Sequence, residues 1–196
     1  IVQALLDVLR PFSIYEKSDL SHYFGKKDPT LKRSGVLYGK LINPVEIKEN
    51  GFKFSVDIVN GEKTGFFLDQ RENRQTLQKY ALNKTILSAF CYTGAFSVYT
   101  AKDAKSVTSI DISSSSIEST KNNFKLNLLD IESHNFIVGD ALNYLKTAEN
   151  SKFDIIILNP PPFSDNSSDI KEAIKSYIII NSFALLRLPD YGILAT

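Results

Sequence analysis

Residues 85–96 read Thr85-Ile86-Leu87-Ser88-Ala89-Phe90-Cys91-Tyr92-Thr93-Gly94-Ala95-Phe96, an apolar run of strand length that reaches a glycine and restarts as a helix. A strand that turns at a glycine into an amphipathic segment opens a doubly wound α/β unit, and such folds place their ligands at that turn. The ligand site is therefore expected around Gly94. Two later stretches repeat the geometry. Ser106-Val107-Thr108-Ser109-Ile110-Asp111 is a second strand-like run ending in a carboxylate, and an acid there can accept hydrogen bonds from both hydroxyls of a ribose. Phe153-Asp154-Ile155-Ile156-Ile157-Leu158 is a buried-strand run that opens into Asn159-Pro160-Pro161-Pro162-Phe163. Together the three describe a nucleoside site with a chemical group beside it.

Working outward, the spacing predicts a strand to about Cys91, a helix from Gly94 to about Ala101, a strand from Val107 to Asp111 and a helix from Ser113 to about Leu126. Ser113 to Ser116 supply N-caps, and Ile117, Phe124 and Leu128 recur at helical spacing. Asn135 to Val138 form a third strand, followed through Gly139 and Asp140 by a helix ending near Ala148. Asp140 reads either as that helix's cap or as an acid at the carboxyl edge of the sheet, able to meet an adenine amino group. After the fourth strand and its proline loop come a helix from about Ile170 to Leu186, a turn at Pro189 to Gly192, and a fifth strand beginning at Ile193. This alternation specifies a parallel sheet covered by helices.

Upstream, Val2, Leu5, Leu6 and Leu9 fall at helical spacing and Pro11 stops that helix. Ser13 to Lys17 read as extended, and Asp19 to Phe24 as a short helical or irregular piece; His22, with no neighbouring ligand residues, is given no role. From Gly35 the pattern has period two, through Val36 to Ile42, Val45 to Lys48 and Phe52 to Val59. Asn50-Gly51 and Asn60-Gly61 separate these arms, and Asn-Gly is a strong hairpin signal because a type I′ turn needs positive φ at both central residues. A small antiparallel sheet with a third arm from Glu62 to Phe67 is expected. Asp69, Gln70, Arg71, Asn73 and Arg74 then form a dense polar set, read as a helix start with Asp69 as cap and Arg71 to Leu82 as helix, or as a lid over the ligand site. The implied division is a small β-rich domain over residues 1–75 and an α/β domain over 76–196.

Hydrophobic residues make up 43% and charged residues 23%, as in ordinary globular proteins, so a folded chain is expected rather than a disordered one. A net charge of +1 gives no overall electrostatic case for nucleic acid, leaving only a local patch at Lys26, Lys27, Lys32 and Arg33. A single cysteine excludes an internal disulfide and a cysteine-rich metal site, and fits a reducing cytoplasm. No apolar run reaches membrane-spanning length. Methionine is absent even at position 1, so the sequence is expected either to be a piece of a longer protein or to have lost its methionines as modified residues. Gly94 stands without the Gly-x-Gly-x-x-Gly turn that a nicotinamide dinucleotide requires, which ranks a dehydrogenase low.

Four phrases carry a resemblance: Lys63 to Arg74, Phe90-Cys91-Tyr92-Thr93-Gly94-Ala95-Phe96-Ser97-Val98, Val107 to Ser113, and Asn159-Pro160-Pro161-Pro162-Phe163-Ser164. In this order the chain resembles the class I S-adenosylmethionine-dependent methyltransferases, specifically large-subunit rRNA methyltransferases of the RlmI and RlmK type. The resemblance implies a Rossmann-like α/β sheet of seven strands, here incomplete near the fifth, behind a small β-rich α+β domain. It implies S-adenosyl-L-methionine as cofactor and 23S rRNA or a ribosomal assembly intermediate as partner, without a membrane and with a homodimer allowed. Full-length relatives of the cytosine type often carry an RNA-binding PUA domain further upstream.

Carried over residue by residue, Phe90, Cys91, Tyr92, Thr93, Gly94 and Ala95 wrap the methionine part of the cofactor. Asp111 takes the ribose with Ile112 beside it, Asp140 takes the adenine with Ala141 beside it, and Asp69, Gln70 and Arg71 line the entrance. Asn159, Pro160, Pro161 and Phe163 form the target-base loop, with Asn159 also at the cofactor. Two positions depart from the family: Ser88 stands where an acid is usual, and Asn159 where an aspartate usually opens the target loop. An Asn-Pro-Pro loop typifies enzymes that methylate exocyclic amines, but those place an aromatic where Pro162 stands. Cytosine C5 chemistry needs a cysteine thiolate to add at C6; Cys91 lies in the cofactor loop and reads as a buried filler, so the nucleophile is expected in a Ser-Cys-Ser segment beyond Thr196. Guanine N7 needs no cysteine, and a non-catalytic RNA-binding relative is the remaining alternative.

Overall fold

A computed structural model describes residues 1–19, 32–163 and 170–196. His22, Lys26 and Lys27 lie outside the described residues. The chain separates into two compact units, one of residues 1–46 and 56–67, the other of residues 47–55 and 68–196. The sequence-based boundary near residue 75 thus differs from this division, in which part of a hairpin counts with the α/β unit.

In the first unit α1 (Val2–Leu9) ends where Arg10 turns left-handed at φ 45°, just before Pro11. β1 (Ser13–Asp19) is extended at Ser13 to Lys17 as expected and runs on through Asp19, the expected start of a helical or irregular piece whose residues 20–24 lie outside the described residues. It pairs antiparallel with β2 (Lys32–Gly39). The Asn60-Gly61 hairpin does not form. The Asp57 carboxylate accepts the Val59 and Asn60 N–H groups and the side-chain amides of Asn60 and Asn43. These bonds, the Asn60 N–H foremost, hold its carboxyl down at about 2. Such local capture of backbone donors competes with a strand ladder, so residues 57–67 form turns, with positive φ at Lys63 and Gly65 instead of Asn60.

β3 (Val45–Glu49) and β4 (Phe52–Val56) form the expected hairpin, with Asn50 at φ 48° and Gly51 at φ 89°. The period-two region is therefore divided between two separate two-stranded sheets, β1–β2 and β3–β4, rather than forming one sheet of consecutive arms.

In the second unit a 3-10 turn (Leu68–Gln70) leads into α2 (Arg71–Gln78). Asp69 lies inside that turn and is not the cap; Gln70 holds the cap position without a side-chain bond. The helix stops at Gln78, well short of Leu82, and Asn83 turns left-handed before the first sheet strand. Then follow β5 (Thr85–Ala89), α3 (Ala95–Ala101), β6 (Ser106–Asp111), α4 (Ser114–Leu126), β7 (Asn135–Val138), α5 (Ala141–Thr147), β8 (Ile155–Leu158), α6 (Ile170–Leu186) and β9 (Ile193–Ala195). All five strands are parallel, in the order β7-β6-β5-β8-β9. Ser113 caps α4 by accepting the Ser116 N–H. Leu128 lies beyond that helix, left-handed and 94% exposed, so it is not part of the apolar face.

Leu87, Ala89, Ile110, Ile156 and Leu158 from the sheet pack with Ala141 and Leu145 of α5 and Ile180 and Ala184 of α6 in one apolar cluster. Burial of a large aliphatic side chain such as Leu87 or Ile156 is worth about 1.5–3 kcal/mol, so this layer contributes substantially to holding the sheet. The β6 edge is extended by His134, whose Nδ1 accepts the Val107 N–H at 3.0 Å while Phe124 meets its ring edge-on. Burial lowers the imidazole pKa, with Asp130 acting in the opposite direction. The fold thus prefers the neutral ring, and the unfolded chain takes up more protons below its ordinary value of about 6.5, so stability declines as pH falls through that region. Melting curves between about pH 7.5 and pH 5.5 are expected to show a loss in the wild type that is smaller in His134→Gln, which does not titrate.

Candidate functional site

β5 lies at the centre of the sheet, with β6 on one side and β8 on the other, so the connections leave it in opposite directions. A crevice at the carboxyl ends of the strands is the consequence of such a reversal. Into it lead the loops after β5, β6, β7 and β8.

The loop after β5 is left-handed at three of five positions, Phe90 (φ 57°), Tyr92 (φ 50°) and Gly94 (φ 76°). Left-handed geometry costs a non-glycine residue about 1–3 kcal/mol unless its surroundings impose it, and here they do. Cys91 N–H donates to Ile110 O at 3.1 Å, Tyr92 N–H to Asp111 Oδ2 at 2.9 Å, and Gly94 N–H to Cys91 O at 2.8 Å. From α4 the Thr120 hydroxyl donates to Tyr92 O at 3.0 Å and the Asn123 amide to Thr93 O at 2.8 Å. At Gly94 a Cβ would lie 2.3 Å from Thr120 Cγ2. Gly94→Ala is therefore expected to cost about 2 kcal/mol or more, from strain plus overpacking, measurable by chemical denaturation.

Asp111 ends β6 half-buried. Besides Tyr92 N–H on Oδ2, its Oδ1 accepts the Ser113 N–H at 3.0 Å. A carboxylate offers about four lone-pair positions, so each oxygen keeps room for one further donor. Ile112, the next residue, is an apolar side chain at 75% exposure. The loop after β7 joins this edge through Gly139 N–H to Asp111 O at 2.9 Å. Asp140 is the cap of α5, its Oδ1 accepting the Asn143 N–H at 2.6 Å, while the residue as a whole is exposed at the strand end. Ala141 is buried in the apolar cluster, so its side chain belongs to the core.

After β8 the Asn159 N–H donates to Ala89 O at 3.3 Å, which sets Asn159 beside the start of the β5 loop. Pro160 is half-buried and Pro161 exposed. Phe163 is 37% exposed, its ring edge-on to Tyr177 of α6 at 4.7 Å between centroids. Tyr177 was not marked by the sequence: a tyrosine within a long helical run carries no signal of what it meets.

The polar set at residues 69–74 divides. Asp69 and Arg71 are exposed, Arg71 pairing with Glu72, and Gln70 accepts from Asn73 within the same turn. Arg74 is buried instead in a two-bond pair with Glu49 of β3, at 2.8 and 2.9 Å, with the Tyr99 hydroxyl of α3 also donating to Glu49 at 2.9 Å. That triad ties α2 and α3 to the hairpin and was missed, since nothing in the spacing of Glu49, Arg74 and Tyr99 announces it.

Cys91 is buried, and desolvation pushes its thiol up to about 12, with Asp111 adding to the effect. Since the thiolate is the nucleophilic form, a buried thiol shifted in this direction is poorly suited to nucleophilic attack. Ser88 is buried in β5, paired across the sheet with Ser109, whose hydroxyl donates to Ser97 of α3 at 2.8 Å. Among the described residues no cluster of three metal-ligating side chains occurs, and no helix is long and apolar enough to cross a membrane.

A strand order reversing at β5, a strained loop after it and an acid ending β6 define a doubly wound α/β unit with its crevice at that switch point. The chain belongs to the S-adenosylmethionine-dependent methyltransferase family, whose model matches residues 25–195. It is 41% identical over 200 residues to ribosomal RNA large subunit methyltransferase I of Aeromonas salmonicida, covering 100% of this chain and 50% of that protein. The protein of the same name from Tolumonas auensis is 40% identical over 202 residues, again with 100% and 50% covered. A Streptococcus mutans structure described as a SAM-dependent methyltransferase superposes with TM-score 0.80 at 34% identity, covering 98% of this chain and 49% of that one. Another solved methyltransferase, complexed with SAH, gives TM-score 0.77 at 33% identity, with 98% and 50% covered. The chain spans about half the length of the curated relatives it matches.

Proposed function

We propose that this chain is the cofactor-binding part of an S-adenosylmethionine-dependent enzyme of the cytoplasm that methylates a base of large-subunit 23S rRNA, with cytosine C5 as the target atom. The observation that carries the cofactor half is Asp111: a half-buried carboxylate at the switch point, fixed by two backbone N–H groups and with acceptor capacity left for a ribose diol. The substrate half rests on the relatives named as rRNA large subunit methyltransferases.

When bound, S-adenosylmethionine supplies an electrophilic methyl group on its sulfonium. In this reading the chain's own residues bind and orient. The loop from Phe90 to Ala95 holds the methionine portion, Asp111 the ribose, Ile112 the adenine face and Asp140, through its exposed oxygen, the adenine amine. Asp69, Gln70 and Arg71 stand at the mouth. Asn159, Pro160, Pro161 and Phe163 hold the target base, with Phe163 kept in place by Tyr177.

For cytosine C5 the thiolate has to come from outside the sequence given, because Cys91 is the one cysteine in it and its thiol is buried and hard to ionise. That same observation supports guanine N7 as the second reading, since N7 presents its own lone pair. The test is titration calorimetry of the complete protein with S-adenosylhomocysteine, followed by nucleoside analysis of undermodified rRNA after reaction. Binding with 5-methylcytidine as product supports the first reading. Binding with 7-methylguanosine selects the second, and absence of binding removes both.

A further inference from the structure

We propose that Asn123 is a positioning residue through which the β3–β4 hairpin sets the conformation of the 90–95 loop. The proposal rests on that loop being the cofactor site. Asn123 lies in the third turn of α4 and is fully buried. Its amide nitrogen donates to Thr93 O at 2.8 Å, and its amide oxygen accepts the Ser55 N–H of β4, also at 2.8 Å. One side chain thus joins the strained loop to a strand distant in sequence.

The join is extended one turn along α4. Asn127 Oδ1 accepts the Lys53 N–H at 2.8 Å, and Asn127 Nδ2 donates to Lys53 O at 2.7 Å. Asn123 in the helix and Asn127 at its C-cap follow at i and i+4 and so come to one side, and their amides, each with donor and acceptor, stand in for a neighbouring strand along β4. Glu49, the last residue of β3 beside the turn of the same hairpin, holds Arg74 of α2 and Tyr99 of α3. The helix that follows the loop and the helix that grips it are therefore both fastened to the hairpin. Asn123 is where that fastening reaches the left-handed residues, whose conformation depends on outside contacts.

The experiment is hydrogen exchange by mass spectrometry, well below the melting temperature, with S-adenosylhomocysteine titration on the complete protein. Ser55→Pro removes the N–H donated to Asn123 and touches nothing in the loop. It is expected to speed exchange over residues 92–95 about tenfold and to weaken S-adenosylhomocysteine about fivefold, in the range of measured site-to-site couplings. Asn127→Ala, at a half-exposed position, is expected to shift both in the same direction and decides the matter if Ser55→Pro does not fold. Asn123→Asp keeps an acceptor for Ser55 but loses the donor to Thr93, so the loop should loosen while the Ser55 amide stays slow. Loop exchange unchanged in Ser55→Pro and Asn127→Ala overturns the proposal. Faster loop exchange in a protein that does not bind S-adenosylhomocysteine keeps the coupling and removes the cofactor reading instead.

Discussion

Arg74→Ala is expected to destabilise the α/β unit by about 3–5 kcal/mol, the usual cost of leaving one partner of a buried ion pair alone. Arg74 is 1% exposed and Glu49 7%, so water cannot take the lost partner's place. The guanidinium makes two bonds to the carboxylate and lies about 6 Å from the Phe96 and Tyr99 ring centroids. Burial, then the Glu49 contact, push the Tyr99 hydroxyl up to about 12, so it remains a donor to Glu49 at any pH of interest. For a unit of this size the loss corresponds to a fall in Tm of roughly 10 °C. The control is the triple change Glu49→Leu, Arg74→Met and Tyr99→Phe, which removes every member of the network together. Apolar replacement of whole buried ion pairs is often neutral, so the triple variant should recover most of the loss. A triple variant as unstable as Arg74→Ala would mean that the side chains matter for packing shape and not for charge.

The same triad shows where sequence patterns stop being informative. Most elements of the α/β unit were legible because they announce themselves locally: β5 by an apolar run leading to Gly94, α4 by its serine cap, α6 by a long run ending at the Pro189 turn. Asp111 was legible because the end of the second strand is a place with a chemical meaning. The β3–β4 turn was legible because Asn-Gly dictates φ, whereas the identical dipeptide at Asn60-Gly61 misled, since Asp57, three residues earlier, captures the donors the hairpin needs. Glu49, Asn123 and Asn127 carried no local signal; each is polar because of a partner 25 to 74 positions away. Polar residues on helix faces read as solvent-exposed by default, and only packing reveals the exceptions. The division of the polar set at residues 69–74, with Arg71 outside and Arg74 inside, is the same effect within one turn of helix.

Asp111→Ala is expected to weaken S-adenosylhomocysteine by more than about 1.5 kcal/mol, or over tenfold, the scale of hydrogen bonds to a charged acceptor. Two mechanisms contribute. The carboxylate tethers Tyr92, one of the two left-handed non-glycine residues of the loop, and Ser113, the cap of α4; its loss therefore loosens the site whether or not it touches the ribose. The proposed ribose contact is a separate quantity, isolated by changing the ligand as well. The wild type should prefer S-adenosylhomocysteine over its 2′,3′-dideoxy counterpart by about 1.5–3 kcal/mol, and Asp111→Ala should bind the two nearly alike, since only the interaction between the deleted groups disappears from such a cycle. If both proteins discriminate equally, Asp111 shapes the loop and the hydroxyls are read elsewhere. Asp140→Ala serves as the contrast, for its tethering role is confined to the Asn143 N–H at the start of α5. Loss of a helix cap costs about 1 kcal/mol of stability, so any larger fall in affinity there reports contact with the adenine.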